Sequence, residues 1–178
     1  MKQVKQPQIY PREKWGAKSP DCSRMKKHTL RFITLHHSGV AYHSDPAPPI
    51  RIKKLQEFSF NEKNWPDIPY HFKIDLQGRI WEARSLEFAG ETNTSYDPTG
   101  HALICVMGNF EEQSVTPEQL DSVVQLCAWL CSQYNIPPER IKGHKDYAET
   151  LCPGRDFYPY ISSGNIKRRV EEILSDSE

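Results

Sequence analysis

Three side chains able to bind a transition metal stand out from the sequence. His36 closes an apolar run, His144 directly follows Gly143, and Cys152 comes after His144 with seven residues between. Imidazole nitrogen and thiolate sulfur are borderline-to-soft donors that suit Zn2+. Two imidazoles and one thiolate fill three of four tetrahedral positions, and an open fourth position is what a hydrolytic zinc centre needs and a structural one lacks. Taken singly, each residue has a plainer reading: a strand-end histidine can be structural, and a lone cysteine is often a buried thiol. No H-E-x-x-H and no C-x-x-C occurs, so the helical zinc-peptidase site and the zinc ribbon are both missing.

These residues need a scaffold to bring them together, and the patterning predicts one. Residues 31–37 (RFITLHH) read as a strand, with Phe32, Ile33 and Leu35 as a β-favouring run ending at His36 and His37. Residues 50–60 have helical spacing in Ile52, Leu55 and Phe58 or Phe60. From Tyr70 the chain alternates Tyr70, Phe72, Ile74 and Leu76 with His71, Lys73 and Asp75, then turns at Gln77-Gly78 into Ile80 and Trp81, which is a hairpin. Residues 85–100 form a polar loop. The run HALICVMGNF reads as a central strand covered on both faces.

A helix is expected over 117–134, with Thr116 as N-cap, Pro117 at the first position and Gln119 completing a capping box. Its apolar stripe includes Val123, Val124, Cys127, Leu130 and Cys131. Ile141 to His144 is a short extended piece, and 162–175 is a C-terminal helix. Residues 1–30 read as an irregular lead-in. The fold class is therefore α/β, a central mixed β-sheet flanked by helices, in a single domain spanning 1–178.

The bulk numbers agree with a globular enzyme-sized domain. Lys+Arg and Asp+Glu are both 23 in 178 residues, so the net charge is zero and no field for gripping nucleic acid or an anionic membrane exists. No run of 18 apolar residues marks a transmembrane segment. Fourteen prolines point to a loop-rich chain. The five cysteines are odd in number and show no compact pairing, which argues against a disulfide scaffold. Cys22, Cys105, Cys127 and Cys131 are read as core thiols. The first fifteen residues hold no apolar stretch of signal length. Either the protein is made without a signal, for the cytoplasm or for phage release, or one precedes this sequence and directs it to the cell envelope or outside.

Five segments, in order, resemble the zinc N-acetylmuramoyl-L-alanine amidases, a superfamily that includes phage lysozyme-amidases, bacterial amidases and animal peptidoglycan recognition proteins. They are REKWGA at 12–17, ITLHHSG at 33–39, NWPDIPYHFKIDLQGRIWEAR at 64–84, HALICVMGNF at 101–110 and GHKDYAETLCPG at 143–154. The resemblance implies a Zn2+ cofactor held by His36, His144 and Cys152, and an amide-hydrolysing reaction on peptidoglycan or muropeptide substrate. It places Tyr70 on the family's catalytic tyrosine and Thr150 where the family carries Lys or Thr. Without it, Tyr70 is an alternating strand aromatic and Thr150 a loop hydroxyl bonding its own backbone.

His37, second of the histidine pair, is not a ligand by this resemblance; packing or a hydrogen bond under the site is its expected role. His71 is expected to point away from Tyr70, as a core or supporting histidine. Asp146 and Glu149 are read either as carboxylates that orient a ligating imidazole or as solvated loop charges. Pro69 stands where the family usually has Gly. Animal recognition proteins carry a cysteine pair shortly after the first ligand strand, and none occurs between His37 and Cys105, so the bacterial or phage type is the better match. A cytoplasmic recycling branch uses Asp as third ligand, which Cys152 disfavours. The rival from another class is a non-catalytic peptidoglycan-binding module. A monomer is the expectation.

Overall fold

The apolar run after Gly100 becomes β5 (His101–Val106), buried along its whole length. This strand lies inside a six-stranded sheet of order β1-β4-β3-β5-β2-β6 in a computed structural model that describes residues 3–176. The other strands are β1 (Ile9–Tyr10), β2 (Phe32–His37), β3 (Phe72–Ile74), β4 (Ile80–Glu82) and β6 (Ile141–Gly143). β3, β5, β2 and β6 run parallel, while β4 pairs antiparallel with β3, so the sheet is mixed as expected.

The two faces differ in chemistry. One carries Ile33, Leu35, Ile74, Ile104 and Val106 and is covered by α2 (Pro117–Tyr134) with α4 (Asn165–Asp176). Burial of these side chains is what fastens α2 to the sheet. Thr116 caps α2 through a complete capping box with Gln119, and Asn135 ends it in the left-handed region at φ 53°. The other face carries His36, Cys105 and Lys73 in neighbouring register positions. α1 (Pro48–Asn61) packs on this side through Ile52, with Trp15, Tyr42 and Trp81. α3 (Tyr158–Ser162) links the end of the chain's last loop to α4.

Three expectations need correction. The lead-in is not wholly irregular: Ile9 and Tyr10 pair with Ile80 and Trp81, and the Tyr10 and Trp81 rings stack at 4.9 Å. Two residues are too few for periodicity to register. Cys22 is exposed rather than a core thiol, because it sits in a one-turn 3-10 segment with no buried residue. The first hairpin strand begins at Phe72, not Tyr70; Tyr70 and His71 precede the ladder.

His71 shows what replaces the ladder there. Its backbone N–H donates to Leu103 O at 2.9 Å, and its ring Nδ1 accepts from Leu103 N–H at 2.9 Å. Nε2 then carries the proton and donates to Phe88 O at 2.7 Å. Both nitrogens are used and the ring is fully buried, so burial pushes its pKa from 6.5 down to about 3. Below pH 6.5 the unfolded chain takes up a proton that the folded chain refuses until about pH 3, so stability is lost as pH falls through this window. Urea midpoints should hold steady above pH 7 and drop between pH 6 and pH 4. His71→Gln should remove roughly one proton's slope, about 1.4 kcal/mol per pH unit. An unchanged slope in that variant would mean the ring titrates freely.

Candidate metal centre

The register of the parallel strands builds the centre. His36 sits opposite Cys105 in the β2–β5 pair, and Gly143 sits opposite Leu35 in the β2–β6 pair, so His144 leaves the sheet beside His36. The two imidazoles lie 4.5 Å apart between ring centroids. His36 Nδ1 is 3.7 Å from Cys152 Sγ. Ligand atoms of His36, His144 and Cys152 all fall within 4.8 Å of one another.

Each of the three is held from behind. His144 Nε2 is 2.7 Å from the Thr94 hydroxyl, and His36 Nε2 is 3.3 Å from the Tyr96 hydroxyl. Thr94 and Tyr96 come from the polar loop after β4. Cys152 Sγ accepts the His37 backbone N–H at 3.4 Å, and Lys145 N–H donates to Cys152 O at 3.1 Å. The loop between them is anchored by Asp146, whose carboxylate accepts Gly143 N–H at 2.8 Å and the Tyr158 hydroxyl at 2.6 Å. Asp146 is thus neither a free loop charge nor a partner of an imidazole; it shapes the turn carrying His144. Glu149 is exposed. Gly154, at φ 100°, lets the loop close on Phe110, since a Cβ there would come within 2.7 Å of the Phe110 backbone.

Burial sets the protonation. It drives His36 well below its ordinary pKa, with the neighbouring His144 adding to the effect, and it lowers His144 as well. Both are neutral imidazoles near neutrality, as metal ligands must be. Burial raises the Cys152 thiol to about 12, so capture of a metal has to expel its proton. His144 Nδ1 is buried and has no hydrogen-bond partner among the described residues. Such an orphaned nitrogen costs free energy unless something fills its lone pair. Around a tetrahedral zinc, N and S ligand atoms sit roughly 3.5 Å apart, close to the 3.7 Å found here. The donor set and the orphaned nitrogen therefore fit a zinc ion. With the Nδ1 atoms given to metal, each Nε2–H donates to a hydroxyl, the usual support for a ligating imidazole.

The remaining expected residues sort as follows. His37 turns under the site, its Nδ1 accepting Phe110 N–H at 3.1 Å, and burial takes its pKa to about 4. Tyr70 lines the cleft in front of the cluster, its ring centroid 5.3 Å from that of His36. Burial holds its phenol well above the ordinary pKa. Thr150 also lines the cleft, and its Oγ1 accepts Cys152 N–H at 3.2 Å, so the local backbone bond and the cleft position coexist. The cleft encloses about 300 Å³. Thr94, Tyr96, Lys73 and Cys105 were not singled out by the sequence. Only the alternation placing Lys73 opposite Phe72 and Ile74 hinted at a polar face.

A family model described as N-acetylmuramoyl-L-alanine amidase matches residues 26–155. Peptidoglycan recognition protein 1 of Bos indicus is 28% identical over 165 residues, covering 91% of this chain and 86% of that protein. Among solved structures, Drosophila peptidoglycan recognition protein SD superposes with a TM-score of 0.79 at 27% identity, over 88% of this chain and 94% of that one. The endolysine N-acetylmuramoyl-L-alanine amidase LysCS from Clostridium intestinale gives 0.77 at 25% identity, over 94% and 98%. The His36, His144 and Cys152 cluster is consistent with the zinc site of amidases of this kind.

Thr94→Val deletes the hydroxyl behind His144 while leaving the three ligands. Competition against a chromogenic chelator should show zinc held 10- to 100-fold more weakly. Unaltered affinity would mean that Thr94 does not orient the ring.

Proposed function

Since the chain belongs to the N-acetylmuramoyl-L-alanine amidase family, we propose that it hydrolyses the amide between the lactyl group of N-acetylmuramic acid and L-alanine of the peptidoglycan stem peptide. One zinc ion held by His36, His144 and Cys152 is its cofactor, and the chain acts as one domain over residues 1–178. The observation that carries this reading is the convergence of the three ligand atoms, with an orphaned nitrogen on His144, at the wall of an open cleft. Zinc, when bound, supplies the charge that acidifies a water towards neutrality and polarises a carbonyl.

The protein's own groups do the rest. Tyr70 keeps its proton, because burial holds the phenol well above its ordinary pKa, so it donates a hydrogen bond rather than acting as a base. Thr150 Oγ1 already accepts Cys152 N–H, which leaves its own O–H to donate into the cleft. These two donors face the amide oxygen as negative charge develops on it, where one such donor is worth about 10²–10³ in kcat. Lys145 N–H and the Asp146 turn keep Cys152 and His144 at fixed separation, so the ligands do not reorganise during the reaction.

The lack of a cysteine pair between His37 and Cys105 supports the bacterial or phage type within the family. The second reading is a binding module without catalysis, favoured by the similarity to recognition proteins of animals. Against it stands the complete ligand set in one place.

Mass spectrometry of a purified muropeptide after incubation should reveal free stem peptide beginning at L-alanine, and a chelator should prevent its release. Cys152→Ala should abolish release and weaken zinc binding. Tyr70→Phe should retain zinc and lose about 10²-fold in kcat. Intact muropeptide after incubation with the zinc-loaded chain would leave only the binding module.

A further inference from the structure

A hydrogen-bond donor aimed at a scissile amide has to be held still, and the backbone around Tyr70 does little to hold its ring. Tyr70 precedes the β3 ladder, so strand pairing does not fix its side chain. Pro69 before it has no backbone N–H. The Tyr70 carbonyl accepts Arg84 N–H at 2.8 Å, but that bond leaves the ring free to turn. Two side chains meet the ring instead. The His36 imidazole lies 5.3 Å away between centroids, and Lys73 Nζ lies 5.2 Å from the ring centre.

Lys73 is an unusual residue for its place. It stands on an inner strand between Phe72 and Ile74, opposite Cys105 in the β3–β5 pair. It is only 3% exposed and takes part in no ion pair among the described residues. Burying an ammonium without a carboxylate costs free energy. Its Nζ is 3.1 Å from Cys105 Sγ and 3.5 Å from Ser38 Oγ, which fixes where the charge sits. Cys105 is in turn a side-chain hydrogen-bond partner of the Tyr70 phenol. A cation over an aromatic face is attracted to the ring's electron density, more strongly where water is excluded. The same charge favours the thiolate of Cys152 and disfavours a charged His36, so it is felt at the metal ligands as well.

We propose that Lys73 is a positioning residue for Tyr70: anchored by Cys105 and Ser38, its ammonium holds the ring against His36 and draws electron density from it, so that the hydroxyl is fixed in direction and becomes a stronger donor to the amide oxygen. Lys73 touches no reacting atom and acts through the ring. The inference rests on the amidase reading, which supplies the amide that Tyr70 faces.

A double-variant cycle with muropeptide as substrate tests the role. Rates are taken at saturating zinc, so any weakening of metal binding through Cys152 drops out. Lys73→Met keeps an unbranched stem and removes the charge; kcat should fall about tenfold with KM unchanged. In a Tyr70→Phe background the same substitution should cost less than twofold, because the hydroxyl it serves is gone. Cys105→Ala removes the anchor and leaves the cation. It should give a severalfold loss that also vanishes in Tyr70→Phe, and it keeps the test open if Lys73→Met impairs folding. A second readout needs neither zinc nor turnover. In the metal-free chain labelled at tyrosine Cζ with carbon-13, the Tyr70 resonance, assigned by its absence from Tyr70→Phe, should move in both Lys73→Met and Cys105→Ala. Equal losses of kcat with and without the Tyr70 hydroxyl, a loss confined to KM, or an unmoved Tyr70 resonance overturns the positioning role while the parent's hydrolysis keeps the amidase reading. A parent chain that leaves muropeptide intact overturns both.

Discussion

The parallel register of four strands is the constraint on which everything else in this molecule depends. Lys73 opposite Cys105, Cys105 opposite His36, and Gly143 opposite Leu35 place one polar row across the sheet, with His144 stepping off its end. A slip of one residue in any of these pairs would send His36 or Lys73 to the opposite face, among the side chains that meet α2. That face is apolar up to His37 at the end of β2, and burial of Ile33, Leu35, Ile74, Ile104 and Val106 against α2 and α4 therefore fixes the register. The hydrophobic side of the sheet thus sets the geometry of its chemical side, without any contact between the two.

Much of this was legible because it rests on local patterning. The capping box at Thr116 and Gln119, the apolar stripe of α2 and the unbroken run of β5 are each written in consecutive residues, and each formed where expected. The ligand trio came from the segments around it, since spacing alone left His36 and Cys152 with structural readings. What stayed hidden depends on distant partners. β1 exists only because Ile80 and Trp81 offer an edge to Ile9 and Tyr10. Thr94 and Tyr96 look like any polar loop residues until β2 and β6 bring two imidazoles beneath them. The alternation through Tyr70 was misleading, because His71 replaces a ladder acceptor with its own ring and the strand starts only at Phe72.

The loop after β4 is where function and stability meet. Apart from one bridge between Phe88 and Lys27 it has no regular structure, yet it supplies a hydroxyl to each of His36 and His144 and the Phe88 carbonyl to His71. Rigid strands position the two imidazoles beside Cys152, and the loop decides how their Nε2 atoms are held. This division resembles that of enzymes in which scaffold and loop evolve at different rates: the sheet keeps the donor set, while loop residues tune its affinity and the cleft beside it.

The threading of β2 has a temporal consequence. His36 and Cys152 are 116 residues apart along the chain, and β2 must pair with both β5 and β6 before they meet. Contacts so remote form late, because the closure entropy of long loops opposes them until the sheet is assembled. His144 and Cys152, eight residues apart, can meet early, but all three donors come together only once the sheet is complete, so the full donor set is a property of the finished molecule and not of any local stretch of chain.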